Sequence, residues 1–290
     1  MKNYPDFVLT TSGRFTSDGA GVRLKRILPI FKNYREIFEV NPFLLLDEFK
    51  SENENDYRNG FPLHPHKGFQ TITYMKWGSF EHKDSLGNSG IIKEGGIQWM
   101  VAGSGLQHSE MPIINQDKRI WGYQLWFNLP KQYKYVDPYY KNIQKEELPL
   151  LNLKEGIIKI LFGKTNYSEE KGIQNPYWKL NYYDVTIYPE QSLYFNHQVI
   201  DIEDWIICYV YQNEIHLNIK LNHKETFYKL VENQLILLEK GNILEIKNLS
   251  DKPSQFLFLN STKLNEPIVR YGPFVMNTEK EILEAIHQFS

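Results

Sequence analysis

Cys208 is the only cysteine in 290 residues, so no intrachain disulfide can form and no thiolate cage can hold a metal. Charge of one sign is scarce as well: the formal net charge is −2 and no run reaches five like charges. Such a chain has no basic field to steer it onto a phosphate backbone, and direct nucleic-acid binding is not expected. Long apolar runs are missing. The most apolar segment, around Trp205 to Tyr211, is far too short to span a bilayer, and Met1 to Gly13 carries no signal-peptide stretch. A soluble protein of a reducing, cytoplasmic compartment is the expectation, with no membrane partner. No glycine pattern of the Rossmann or P-loop type occurs either, which removes the common nucleotide-binding folds.

What is present points to β structure. Hydrophobic residues make up 41% and charged residues 23%, so a packed core is expected. Nineteen Tyr and seventeen Phe suit half-buried pleated strands better than helices. Strand-like segments separated by turn residues run from about Phe69 to Asn128, most clearly Phe69 to Met75, Ile97 to Val101 and Tyr123 to Leu129. Asp84-Ser-Leu-Gly-Asn-Ser-Gly90 reads as a hairpin loop, because Gly and Asn tolerate positive φ. From Pro130 to Asn152 the rhythm breaks, and Asp137-Pro138 reads as an N-cap with Pro at the first position of a short helix. This is taken as the connection between two domains, 1–135 and 136–290.

Strand-like rhythm then resumes at Gly156 to Gly163, Leu180 to Tyr188, Asp204 to Tyr211, Glu214 to Ile219, Gln234 to Leu238, Asn242 to Lys247 and Gln255 to Asn260. The two β units are similar in size, and each has a Gly-containing turn late in the unit, at Gly95-Gly96 and Lys240-Gly241, as a diverged duplication would. One helix closes the second domain: Thr278 and Glu281 form a capping-box pair, with Ile282, Ile286 and Phe289 on one face.

Four of the eight histidines, His64, His66, His82 and His108, fall in the first β unit, while His197, His216, His223 and His287 are scattered. In an extended segment, side chains at i and i+2 share a face. His64-Pro-His66 and His108-Ser-Glu110 both have that spacing, and intervening hairpins can bring the pairs to one end of a barrel. Three imidazoles and one carboxylate at one point form a metal site. Nitrogen ligands with one carboxylate and no sulfur suit Fe(II), Ni, Cu, Mn or Zn rather than Ca or Mg. His82, among Glu81, Lys83 and Asp84 beside a turn, is read as a surface histidine or one behind the ligands, not as a fifth ligand. Ser109 lacks a nucleophile-elbow pattern and Cys208 lies in an apolar strand, so nucleophilic catalysis is disfavoured. The second unit has no comparable His pair and is expected to hold no metal.

At these residues the sequence resembles the pirin family of the cupin superfamily. The resemblance is carried by Asn41-Pro-Phe-Leu-Leu-Leu-Asp-Glu-Phe49, Gly60-Phe-Pro-Leu-His-Pro-His-Lys-Gly-Phe69, Asp84-Ser-Leu-Gly-Asn88, Gln98-Trp-Met-Val-Ala-Gly103, Gln107-His-Ser-Glu-Met-Pro112 and Gly272-Pro-Phe-Val-Met-Asn-Thr278. It implies an all-β fold of two stacked antiparallel cupin barrels, a bicupin, with one iron in the N-terminal barrel held by His64, His66, His108 and Glu110. Lys67 stands where many pirins have Arg, Gln70 where many cupins place an acidic ligand, and Gly95-Gly96 where Pro-Gly is usual. The resemblance further implies an oxidoreductase, a quercetin 2,3-dioxygenase acting on a flavonol, with Glu110 as the base. It equally implies a rival reading, an iron-dependent redox sensor acting through a protein partner such as a transcription factor or a metabolic enzyme.

Overall fold

Strand burial follows directly from side-chain alternation. Leu106–Ile113 places Leu106, His108 and Glu110 inward and leaves the residues between them half-buried, the pattern of a strand with one wetter face. Phe69–Trp77 is buried through its first seven residues because it runs through the middle of its sheet. A computed structural model describes residues 8–31, 37–196, 198–201, 203–221, 224–239 and 243–290. Its chain divides into two compact units, both built from antiparallel strands, as the composition requires.

The first unit comprises Arg14–Glu147 and Leu264–Ser290. Its seven-stranded sheet has the order Tyr139–Ile143, Ile97–Val101, Phe69–Trp77, Ile120–Asn128, Phe43–Ser51, Val22–Leu28 and Arg14–Asp18. The four-stranded sheet packed on it has the order Ser89–Ile92, Ser79–Asp84, Leu106–Ile113 and Phe61–His66. Phe61–His66 is an edge strand, and so it can carry Pro62 and Pro65, which lack the N–H of a central ladder. One half of the interior is apolar, with Val22, Phe49 and Met75 of the larger sheet meeting Phe80 and Ile92 of the smaller. The other half is polar and holds the site described below.

The second unit, Leu148–Lys263 with the strand Val8–Ser12, repeats the seven-plus-four arrangement. Its interior is apolar. Tyr183 and Phe195 both stack on Phe258, at centroid distances of 5.3 and 4.4 Å, and Cys208 is fully buried in the same cluster. Of the two turns compared in the sequence, Gly95-Gly96 is described, whereas Lys240-Gly241 lies outside the described residues.

Three expectations are corrected. The division falls at Glu147/Leu148 rather than at residue 135, and the terminal helix Glu279–Gln288 belongs to the first unit, not the second. Its buried Ile282 and Ala285, with Ile286 and Phe289, pack on Phe274 and Met276. No helix follows Asp137-Pro138. Tyr139–Ile143 is a strand paired with Ile97–Val101, because its residues alternate in burial with period two and Pro138 ahead of it leaves the ladder intact. The capping box is as expected: Thr278 Oγ1 accepts from the Glu281 N–H at 3.2 Å and donates to Glu281 Oε2 at 2.9 Å. No helix among the described residues is long and apolar enough to cross a membrane.

The closing segment of the first unit is tied to the turn after His66. Lys67 N–H donates to the Pro273 carbonyl and Val275 N–H to the Lys67 carbonyl. Gly68 permits this approach: its φ is +87°, and a β-carbon there would lie 2.1 Å from the Val275 carbonyl oxygen. Lys134, wholly buried, fastens the arrangement. Its ammonium donates to the Gly68 carbonyl at 2.7 Å, Asn128 Oδ1 at 2.6 Å and the Val275 carbonyl at 2.8 Å. Burial pulls the pKa of this lysine down to about 7, and three acceptors matched to three N–H groups are what make its burial tolerable.

Lys134→Met removes the donor and leaves three buried acceptors unmet, and the expected loss is about 2–4 kcal/mol. Urea unfolding measures it. A change within about 0.5 kcal/mol, the usual range for an inconsequential surface substitution, would show that the clamp is not needed.

Candidate metal centre

Strand register assembles the centre. Leu106 stands opposite His66, and His108 stands opposite both His64 and Asp84. Glu110 stands opposite His82. Cross-strand partners share a face, so His64, His66, His82, Asp84, His108 and Glu110 all point into the polar half of the first unit. From the other sheet Thr73, paired in register with Gln98 and Gln124, faces them.

The ligand atoms of His64, His66 and His108 lie within 4.8 Å of one another. Each ring has its Nδ1 engaged elsewhere. His64 Nδ1 lies 2.7 Å from the Pro62 carbonyl and His66 Nδ1 3.4 Å from the Pro273 carbonyl. A carbonyl can only accept, so both rings carry their proton on Nδ1 and present a bare Nε2. Those two Nε2 atoms are 3.0 Å apart, a separation suited to neighbouring ligands each about 2.1 Å from one cation. His108 Nδ1 faces His82 Nδ1 at 3.4 Å, while its Nε2 is buried with no hydrogen-bond partner. An orphaned imidazole nitrogen aimed at two others gives a group that could hold a metal ion. Burial lowers the pKa of His66 to about 3 and that of His108 well below its ordinary value, the neighbouring imidazoles adding to the effect. His66 and His108 are therefore held neutral, as ligation requires.

Glu110 stands apart from the three-histidine group. Its carboxylate is buried and accepts from Thr73 Oγ1 at 3.1 Å and Gln124 Nε2 at 2.8 Å. Gln124 Oε1 in turn accepts from Trp126 Nε1 at 3.1 Å. The ladder between the His108 and His64 strands shifts register between His108 and Glu110. Even i, i+2 spacing thus brings the two side chains to one interior, and the three histidines alone to one point.

His82 is not on the surface. It is fully buried, stacked on Tyr140 at 4.0 Å and hydrogen-bonded to Asp84 Oδ2 at 3.3 Å, and it lies behind His108. Burial lowers its pKa. Thr73, Gln98, Gln124 and Tyr140 were not singled out in the sequence. Their signal was there all the same, as polar side chains at inward positions of otherwise buried strands. Among the scattered histidines, His216 pairs with Glu214 at 3.3 Å, His287 is on the terminal helix, and His197 and His223 lie outside the described residues.

Beside the histidines opens a cleft of about 720 Å³, lined among others by Leu44, Leu45, Phe61, His64, His66 and Trp126. Trp126 and Phe69 pack on His66, with ring centroids 5.1 and 5.0 Å away. Arg26 and Arg270 also border the cleft. Each is anchored by acids, Arg26 by Asp18 and Asp47 and Arg270 by Glu39.

Residues 21–127 match the family described as Pirin, and residues 182–290 the one described as Pirin C-terminal cupin domain. A Pseudomonas aeruginosa protein provisionally named a quercetin 2,3-dioxygenase is 34% identical, covering 100% of this chain and 98% of that protein. A pirin-like protein of Caulobacter vibrioides is 36% identical over 96% of this chain and 94% of its own length. The crystal structure of a quercetin 2,3-dioxygenase from Acinetobacter baumannii superposes with a TM-score of 0.81 at 28% identity, covering 98% of this chain and 96% of that one.

Neutral burial of His66 makes the metal-free protein sensitive to acid. Its folded pKa of about 3 lies below the ordinary 6.5, so the unfolded chain binds the extra proton between those values. The stability due to this group is complete above pH 6.5 and lost as pH falls towards 3. The full effect is about 5 kcal/mol. Denaturant unfolding of the metal-free protein should therefore fall more steeply across that window in the parent than in His66→Gln, and parallel curves would refute the assignment.

Proposed function

The chain belongs to the pirin family of the cupin superfamily, and from that premise we propose that it is a metal-dependent dioxygenase of the quercetin 2,3-dioxygenase type acting on a flavonol. The observation that carries the reading is the convergence of three imidazoles, each with Nδ1 engaged, on one point beside a largely apolar cleft. In this reading Fe(II) would be the metal, His64, His66 and His108 would hold it, and Glu110, set beside the three in the same interior, would be the fourth donor. When bound, such a metal lowers the pKa of a hydroxyl that it holds and mediates electron transfer to dioxygen.

The protein's own groups do the rest. A volume of about 720 Å³ is of the size that encloses a small aromatic ligand. Apolar side chains such as Leu44, Leu45 and Phe61 suit the faces of a flat ring system and exclude water from it. Glu110 takes the proton of the flavonol 3-hydroxyl on a carboxylate oxygen. Thr73 and Gln124 hold that carboxylate in place, and Trp126, through Gln124, links its position to the cleft wall. Dioxygen adds to the activated ring, which opens with loss of carbon monoxide. The names and fold of the relatives support this choice of reaction.

His108→Ala should lose most of the bound metal while remaining a folded β protein, since one ligand is gone and apolar burial is intact; metal analysis beside circular dichroism reads both. Glu110→Gln keeps an oxygen donor yet cannot accept a proton at neutral pH. Flavonol turnover per bound iron, followed by substrate decay and carbon monoxide release, should fall roughly a hundredfold or more. Parent-like turnover per iron would exclude Glu110 as the base, and a parent without turnover on flavonols would exclude the reaction.

A further inference from the structure

Asp84 and His82 are not ligands, and the hairpin loop that carries Asp84 has no part in the reaction as described. The loop nevertheless fixes the carboxylate in place. Asp84 Oδ1 accepts from the Leu86 and Asn88 N–H groups at 3.0 and 2.9 Å, and Oδ2 accepts from Asn88 Nδ2 at 2.9 Å. The Asp84 side chain is fully buried, as is that of His82, whose Nε2 lies 3.3 Å from Oδ2. The other face of this histidine is equally constrained, since its ring stacks on Tyr140 with an interplanar angle of 9°. Its remaining nitrogen, Nδ1, meets His108 Nδ1.

Hydrogen-bond logic then runs in one direction. A carboxylate can only accept, so Nε2 of His82 bears the hydrogen. A neutral imidazole has one N–H, so Nδ1 of His82 is an acceptor and Nδ1 of His108 must be the donor. His108 is left with its lone pair on Nε2, the atom that faces His64 and His66 and has no other partner. His64 and His66 draw the same tautomer from backbone carbonyls. For His108 a side-chain pair, His82 and Asp84, stands in that place.

We propose that the Asp84–His82 pair is a positioning relay, which holds His108 in its ligating tautomer and ring orientation and so tunes the affinity of the metal centre. The role rests on the metal reading given above and adds to it two residues that touch neither metal nor substrate. Partners of this kind typically contribute tenfold to a hundredfold in metal affinity. The hairpin turn is accordingly a part of the centre: Gly87, at φ +86°, lets the loop fold back so that two backbone N–H groups reach one carboxylate oxygen.

Two measurements test the relay. In metal-free protein labelled with ¹⁵N-histidine, long-range proton–nitrogen correlation spectra read each ring's tautomer directly. Parent His108 should carry its hydrogen on Nδ1, and in His82→Phe, which keeps an aromatic ring over Tyr140, it should populate both tautomers. Chelator competition with Ni(II) as the probe should give binding weaker by roughly tenfold to a hundredfold in His82→Phe and by roughly tenfold in Asp84→Asn. A parent His108 protonated on Nε2, or affinities within about threefold of the parent in folded variants, overturns the relay. Should His82→Phe fail to fold, Asp84→Asn decides by the same two readings. A parent that binds no Ni(II) defeats the metal reading and this inference with it, whereas the tautomer spectra, taken without metal, judge the relay by itself.

Discussion

The Nδ1–H of each of three imidazoles goes to an acceptor, and the rest of the centre follows from where those acceptors sit. Pro62 provides one from the same strand, Pro273 another from the closing segment, and His82 the third. A histidine in water samples both tautomers and many rotamers. Convergence of three rings on one point needs one of each, and the protein obtains it by giving every ring something to donate to. The cost is a half-polar interior, since an unmet polar atom in a low-dielectric core is expensive. That constraint accounts for Thr73 and Gln124, which donate to Glu110, and for Asp84, which accepts from His82.

The second unit shows what the same architecture becomes without that demand. It has the same seven-plus-four sheets, but Tyr183, Phe195 and Phe258 stack face to face in its interior, in place of imidazoles and carboxylates. Cys208 sits there as a small apolar residue whose thiol is pushed up by burial, far from thiolate chemistry. Two units thus share a fold while differing in the polarity of what they enclose, which is where function resides.

Much of this was legible in the sequence, for identifiable reasons. Strands such as Ile97–Val101 and Asp204–Gln212 show as dense β-branched and aromatic runs, and the terminal helix shows through its capping box. The paired spacing of His64 with His66, and of His108 with Glu110, predicts shared faces, and the three histidines do converge. Other features depend on tertiary pairing and leave little local trace. The strand Tyr139–Ile143 follows a proline and mimics a helix start until its pairing with Ile97–Val101 is known. The polar neighbours of His82 left open in the sequence whether it lies on the surface or behind the other histidines; strand alternation decides, since Glu81 and Lys83 point away on the opposite face and His82 points inward. The place of the terminal helix was hidden for a different reason: proximity along the chain is no guide when residues 264–290 pack with residues 14–147.

That return of the chain orders the birth of the centre in time. His64 and His66 leave the ribosome early, yet the carbonyl that fixes the His66 tautomer belongs to Pro273, 207 residues later, and one acceptor of the Lys134 clamp belongs to Val275. Every strand of the second unit except Val8–Ser12 is synthesised in between. A nascent chain stopped before those residues would hold the histidines in its sequence and lack the contact that turns one of them towards the others. The three-histidine group is therefore fully oriented only among the last events of biosynthesis, once Pro273 and Val275 have been made.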